Sequence, residues 1–253
     1  MTFRFLLNRR YVLLHAVRFR GSAEPFPGWT AFIDQIYEDH PRLYWELRGA
    51  PERTLFPASR SPVRGFKRLF TAPPVKRLFR ETNAYRLAVE SQWRKNERAV
   101  LSFLETCGLR LPANTIRVFI THPLLWNGRT VDDRTIVWGH PEDFPNYSTV
   151  HLCHELLHVL TRRDSDPVTH AVIELLADNA LRLRLGGGSR FFEFQGHEEL
   201  RPLERRLLSS FRRFLASSDR DLSQFIVKAK LQIRRRRRSA KIRIRAGRSA
   251  LQR

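Results

Sequence analysis

Apolar residues recur every three or four positions over most of the first hundred residues, then give way to alternation, and then return to the helical interval. Phe3, Leu6, Leu7, Val12 and Leu13 fit a short amphipathic helix at the start, and Trp29, Phe32, Ile33, Ile36 and Tyr37 fit a second one that ends before Pro41. Prolines at 51, 57, 62, 73 and 74 mark a looser stretch. A long helix is predicted from Val75 to Cys107, burying Leu78, Tyr85, Val89, Trp93, Val100, Leu101 and Leu104, with Gly108 as its terminator. After Pro112 the run Thr115 to Thr121 alternates and is β-branched, as is Arg134 to Gly139, so both read as strands. The loop between them holds Asn127-Gly128 and Asp132-Asp133, and the two strands are expected to pair antiparallel across it.

Two further helices follow. Ser148 is the expected N-cap of the first, which runs from Thr149 to Thr161 and buries Cys153, Leu156, Leu157 and Leu160. Ser165 or Asp166 caps the second, with Pro167 in its first turn. Its buried stripe is Val168, Ala171, Val172, Leu175 and Leu176, and Gly186-Gly187-Gly188 ends it. Phe191, Phe192 and Phe194 are expected to cover the core from the far side. Together these patterns predict an α+β protein with three parts: a mainly helical region over 1–112, a small sheet with two helices over 113–227, and a basic tail over 228–253 that is expected to be disordered.

Composition adds two constraints. At 42% hydrophobic, 253 residues suffice for a sizeable core, and two cysteines are too few for a disulfide framework, which points to a reducing, cytoplasmic setting. No uncharged run approaches the length of a membrane span. The first 23 residues carry five arginines and no acid, yet their amphipathic pattern is expected to belong to the folded chain and not to a cleaved leader. The net charge of +21 is unevenly placed, because twelve basic residues and no acidic one lie between Lys228 and Arg253. Residues 234–253 are therefore either a solvated tail or an arm for weak contact with nucleic acid or another anionic surface.

The chemistry sits on the polar face of the Thr149–Thr161 helix, where His151, His154, Glu155, His158 and Arg162 form a stripe containing H-E-L-L-H. Histidines four apart on a helix differ by about 40° in rotation and one turn in height, so both imidazoles can reach one ion. Glu155, about 100° away, is placed to accept a proton from a water beside that ion. A catalytic zinc needs a third protein ligand, and His170, Glu174 and Asp178 stand four apart on the next helix, on a polar face that interrupts an apolar sequence. Cys153 belongs to the buried stripe, and His122 and His140 read as solvent-facing loop residues at strand ends.

H-E-L-L-H at 154–158 followed by E-L-L-A-D at 174–178 resembles the gluzincin class of zinc metallopeptidases, whose pattern is HExxH and then ExxxD on a following helix. The resemblance spans about 65 residues. It implies a compact zincin-like catalytic unit, zinc held by His154, His158 and Glu174, Glu155 as general base, and Asp178 orienting His154. It also implies a peptide or protein substrate, laid along an edge strand that by analogy is Arg134 to Gly139. Tyr147, His151, His170 and His197 are the candidate donors to an oxyanion, and His170 is an alternative third ligand. Two other readings compete: a nucleic-acid-associated protein with a structural metal and the arginine-rich arm, and a zincin-like domain that binds without cutting.

Overall fold

The computed structural model describes residues 1–18, 24–49, 69–162, 164–194 and 196–235. The looser stretch with prolines 51, 57 and 62 lies outside them, as do residues 236–253 of the basic tail.

The chain opens with a strand, β1 (Thr2–Leu6), where the sequence pattern suggests a helix. Phe3 and Phe5 point inward and Thr2 and Arg4 outward, and over five residues that alternation competes with the helical interval. Pairing decides it, because β1 lies parallel to β2 (Thr115–Ile120) with Phe3 opposite Ile116 and Phe5 opposite Val118. The helix α1 (Arg9–Arg18) begins only after Asn8, whose Oδ1 accepts from the backbone N–H of Arg10 and Tyr11, both at 3.1 Å. A boundary at residue 112 therefore does not describe the molecule: the first strand belongs to the sheet of the later half.

Helices α2 (Trp29–Asp39) and α3 (Pro41–Gly49) follow, Pro41 opening the second where it closes the first. The long α4 (Pro73–Thr106) joins two cores. Its first turns pack Val75, Leu78 and Phe79 with Leu13, Trp29, Ile33 and Leu47. Its later turns pack Val89, Trp93, Val100 and Leu104 under the sheet, with Trp93 stacked on Phe3 at 4.0 Å between ring centroids. Gly108 ends the turn after α4 at φ +77°, and a Cβ there would fall 2.2 Å from the Arg220 carbonyl oxygen, so no other residue fits.

The strand expectation is corrected in its pairing. The 14 residues between β2 and the last strand are long enough to hold a further strand, β3 (Asn127–Asp132), which forms the hairpin with β4 (Thr135–Gly139). β4 inserts between β2 and β3, so β2 and β4 run parallel and the order is β1-β2-β4-β3. The edge strand is thus β3, not Arg134 to Gly139, and it is the antiparallel one.

The helices α5 (Tyr147–Leu160), α6 (Pro167–Glu174), α7 (Arg182–Arg184) and α8 (Arg201–Ala216) cover one face of the sheet. A further helix, α9, spans residues 222–235 and buries Leu222, Ile226, Ala229 and Ile233 at helical spacing. The first eight residues of the segment read as tail are thus packed on the core, and Lys230 forms an ion pair with Asp164 in the turn before α6. Among the described residues no helix is long and apolar enough to cross a membrane.

Candidate metal centre

Helix α5 is set in place from its first turn. Ser148 is not its cap: the helix begins at Tyr147, and the Ser148 hydroxyl instead bonds Glu142 and accepts from Trp138 Nε1 at 2.9 Å. The free N–H groups of the first turn are satisfied from elsewhere, that of Ser148 by Glu142 and that of Thr149 by Gln92 Oε1 on α4 at 2.8 Å. Cys153, Leu156 and Leu157 are fully buried, which fixes the rotation of the helix and turns His154, Glu155 and His158 toward a cleft of about 410 Å³. Burial pushes the Cys153 thiol up, as expected of a core side chain.

The next helix starts as the sequence suggests, with the Asp166 carboxylate accepting from Val168 N–H at 2.8 Å. After Glu174 it changes character, since residues Leu175–Leu181 wind as a π-helix. The wider winding alters which residues stack and releases backbone carbonyls. Two side chains take those up: Asn179 Nδ2 donates to Glu174 O at 3.0 Å, and the buried Arg182 donates to Asp178 O at 2.7 Å.

Glu174 and Asp178, at the start of that stretch, meet different partners. Asp178 faces α5, its Oδ2 lying 2.8 Å from His154 Nδ1. Glu174 meets the loop before α8, with Oε1 at 2.5 Å from His197 Nδ1 and at 3.2 Å from the His197 backbone N–H. His170 stands between, its Nε2 3.7 Å from Glu174 Oε1.

Two groups with mutual donor spacings within 4.8 Å result among the described residues: His154, His158 and His170, and then His170, Glu174 and His197. Glu174 therefore falls with His197, and the imidazole that joins His154 and His158 is that of His170. His154 Nε2 and His158 Nε2 lie 3.2 Å apart. Two ligands at about 2.0–2.1 Å from one tetrahedral ion would stand about 3.3 Å apart, so the spacing suits zinc. His170 Nε2 is buried without a hydrogen-bond partner, as a ring nitrogen reserved for an ion would be.

Protonation agrees. Burial pushes His158 down to about 3, helped by the charges of His154 and His170. Burial likewise brings His170 to about 4, helped by His154 and His197. Both rings are neutral at pH 7 and present lone pairs. Burial alone would lower His154, but the Asp178 carboxylate outweighs it and pushes the ring up to about 9. Burial alone would likewise raise Glu174, but its hydrogen bonds to His197 and Glu204 hold it low, while burial and then Glu174 push Glu204 up. The hydrogen bond to Glu174 raises His197.

Glu155 lines the same cleft and is gripped by a residue that the sequence did not single out. Thr130 on the edge strand donates from Oγ1 to Glu155 Oε2 at 2.8 Å, and the same hydroxyl lies 2.9 Å from Glu155 O. Nothing in the local pattern marks Thr130, because it meets Glu155 only through the β3–α5 contact. Of the candidate oxyanion donors, His170 and His197 line this cleft, whereas Tyr147 and His151 line a separate cavity with Trp126, His140 and Phe144. His122 does lie in the loop after β2, but it is buried and not solvent-facing, with Nε2 3.4 Å from Glu81.

Asp178 has a measurable job under this geometry, since it fixes the His154 ring by its Nδ1 and leaves Nε2 facing His158. Replacing Asp178 with Ala is expected to weaken zinc binding by about 10- to 100-fold, measured by competition with a chromophoric chelator. An unchanged affinity would show that His154 needs no such partner. Comparison with family models, with curated proteins and with solved structures finds no match for this chain.

Proposed function

We propose that this protein is a zinc-dependent hydrolase of peptide bonds whose ion is held by His154, His158 and His170. The observation that carries the reading is the convergence of two Nε2 atoms 3.2 Å apart with the unpartnered His170 Nε2, in one cleft with Glu155. Bound there, zinc would supply Lewis-acid polarisation of a carbonyl and acidify a water to a pKa of about 7.

The chain's own residues account for the rest. Glu155 takes a proton from the attacking water on its carboxylate and returns it to the leaving amine, and Thr130 keeps that carboxylate on the cleft side. Asp178 keeps the His154 ring in one orientation. Among the described residues strand β3 is paired on one side only, to β4, so its outer edge can take an extended peptide by backbone hydrogen bonds, and Gly128, Arg129 and Thr130 of that strand line the cleft.

The test is zinc content by elemental analysis of the parent beside His158→Ala and His170→Ala, with circular dichroism to confirm folding. Each variant is expected to carry one zinc fewer per chain than the parent and to lose hydrolysis of a peptide library. Zinc content unchanged in both variants would refute the ligand assignment.

A further inference from the structure

We propose that the cavity beside the metal cleft receives a cationic side chain of the peptide substrate, arginine or lysine, with Asp143 as its counter-charge. The inference rests on the hydrolase reading for the peptide and on separate residues for the recognition.

The cavity holds about 360 Å³, and its walls are aromatic: Trp126, His140, Phe144, Tyr147, His151 and Phe194. The rings pack on one another, with centroids 4.2 Å apart for Trp126 and His140, 4.3 Å for Tyr147 and His151, and 4.9 Å for Phe144 and Tyr147. Aromatic faces of this kind attract a cation through the ring quadrupole.

Charge selects the guest. Asp143 lines the same cavity, is exposed, and has no ion pair or hydrogen bond among the described residues. Its neighbour Glu142, by contrast, is taken up by Ser148 and Gln92. Asp178 adds a second carboxylate to the wall, and its Oδ1 is buried without a partner among the described residues. Burial raises the Tyr147 hydroxyl, and Asp143 and then Asp178 raise it further, so both carboxylates act on the same space. Arg201 also lines the cavity, but its guanidinium is engaged by Glu204 at 3.3 Å and by the Phe194 carbonyl oxygen at 3.1 Å. A free carboxylate beside aromatic faces favours a basic side chain and repels an acidic one.

The cavity lies where a peptide on β3 would reach it. Trp126 immediately precedes that strand, whose Gly128, Arg129 and Thr130 line the cleft. Two side-chain pairs form the partition: His154 and His197 line the cleft, and their partners Asp178 and Glu174 line the cavity. At about 3.3 Å per residue, the four steps from Trp126 to Thr130 cover roughly 13 Å, so the basic residue would sit within about four positions of the bond that is cut.

The experiment compares kcat/KM of the zinc-loaded full-length chain on peptides that carry either arginine or its neutral isostere citrulline, at each position within about four of the cut bond. The parent is expected to favour arginine at one position by about 10- to 100-fold, and Asp143→Asn to bring that ratio close to one. Asp143 is exposed, so its replacement leaves the core intact, and circular dichroism checks this. The same peptides are titrated calorimetrically into Glu155→Gln, with and without Asp143→Asn, so that binding is read apart from turnover. Cleavage with a ratio near one in the parent, or with a preference that Asp143→Asn leaves intact, would overturn the role of the cavity and leave the hydrolase reading standing. No cleavage of any peptide, together with arginine-dependent binding that Asp143→Asn abolishes, would do the reverse. Neither cleavage nor such binding would remove both.

Discussion

Replacing Glu155 with Gln is expected to leave zinc content and folding unchanged while peptide hydrolysis falls by about 10²- to 10⁴-fold. The substitution keeps size and shape, and the new amide oxygen still accepts from Thr130, whose hydroxyl now holds the carboxylate at 2.8 Å. What is lost is a group that can take a proton, and about 1.4 kcal/mol of barrier per tenfold makes this an effect of about 3–5 kcal/mol. His154 and His158 are untouched, so the ion stays. The measurement is initial rate on a peptide library with metal analysis of the same preparation. A variant that cleaves at the parent's rate would remove the hydrolase reading and favour a structural metal, in which case trimming residues 236–253 and assaying oligonucleotide binding becomes the informative step.

The largest effect on stability is expected at Arg182. This cation is 1% exposed and donates to three carbonyl oxygens, those of Asp178, Gly187 and Arg190, each at 2.7 Å, with Glu193 at 3.4 Å. It closes the π-helical stretch on one side and the glycine-rich turn on the other. Arg182→Met keeps most of the volume but leaves those carbonyls unpaired in the interior, at about 1–3 kcal/mol for each one that water cannot reach. A loss of about 3–5 kcal/mol is expected, read as a lower midpoint in urea with the slope unchanged. Because Asp178 O is one of the three, zinc affinity should fall with it. A midpoint within about 0.5 kcal/mol of the parent would mean that the turn is held by other contacts.

The parts of the fold that were legible are those in which local periodicity and burial agree. The long α4 was readable because apolar residues recur over more than eight turns and Gly108 marks its end, although it begins at Pro73, two residues before the expected start. The rotation of α5 was readable because Cys153, Leu156 and Leu157 can face only the core, which leaves His154, Glu155 and His158 on the other side. Local signals failed where a partner far along the chain casts the deciding vote. Five residues at the start fit two periods, and β2, more than a hundred positions away, chose the strand. The Ser148 cap was a reasonable local guess overruled by Gln92 and Glu142.

The sequence by itself determined that two imidazoles and a carboxylate would share one face of a helix and that His170, Glu174 and Asp178 would share a face of the next, because each of these follows from spacing along a single element; the pairing of Asp178 with His154 was implied only by the resemblance. Only the tertiary structure brings His170 within 4.8 Å of both His154 and His158 and sets Glu174 against His197. In the helix whose π-helical stretch after Glu174 is stabilised by Asn179 and Arg182, Asp178 meets His154 as expected, whereas Glu174 meets His197. The His197 contact joins a helix to a loop 23 positions further along the chain, and a periodicity read within one element carries no information about such a distant partner.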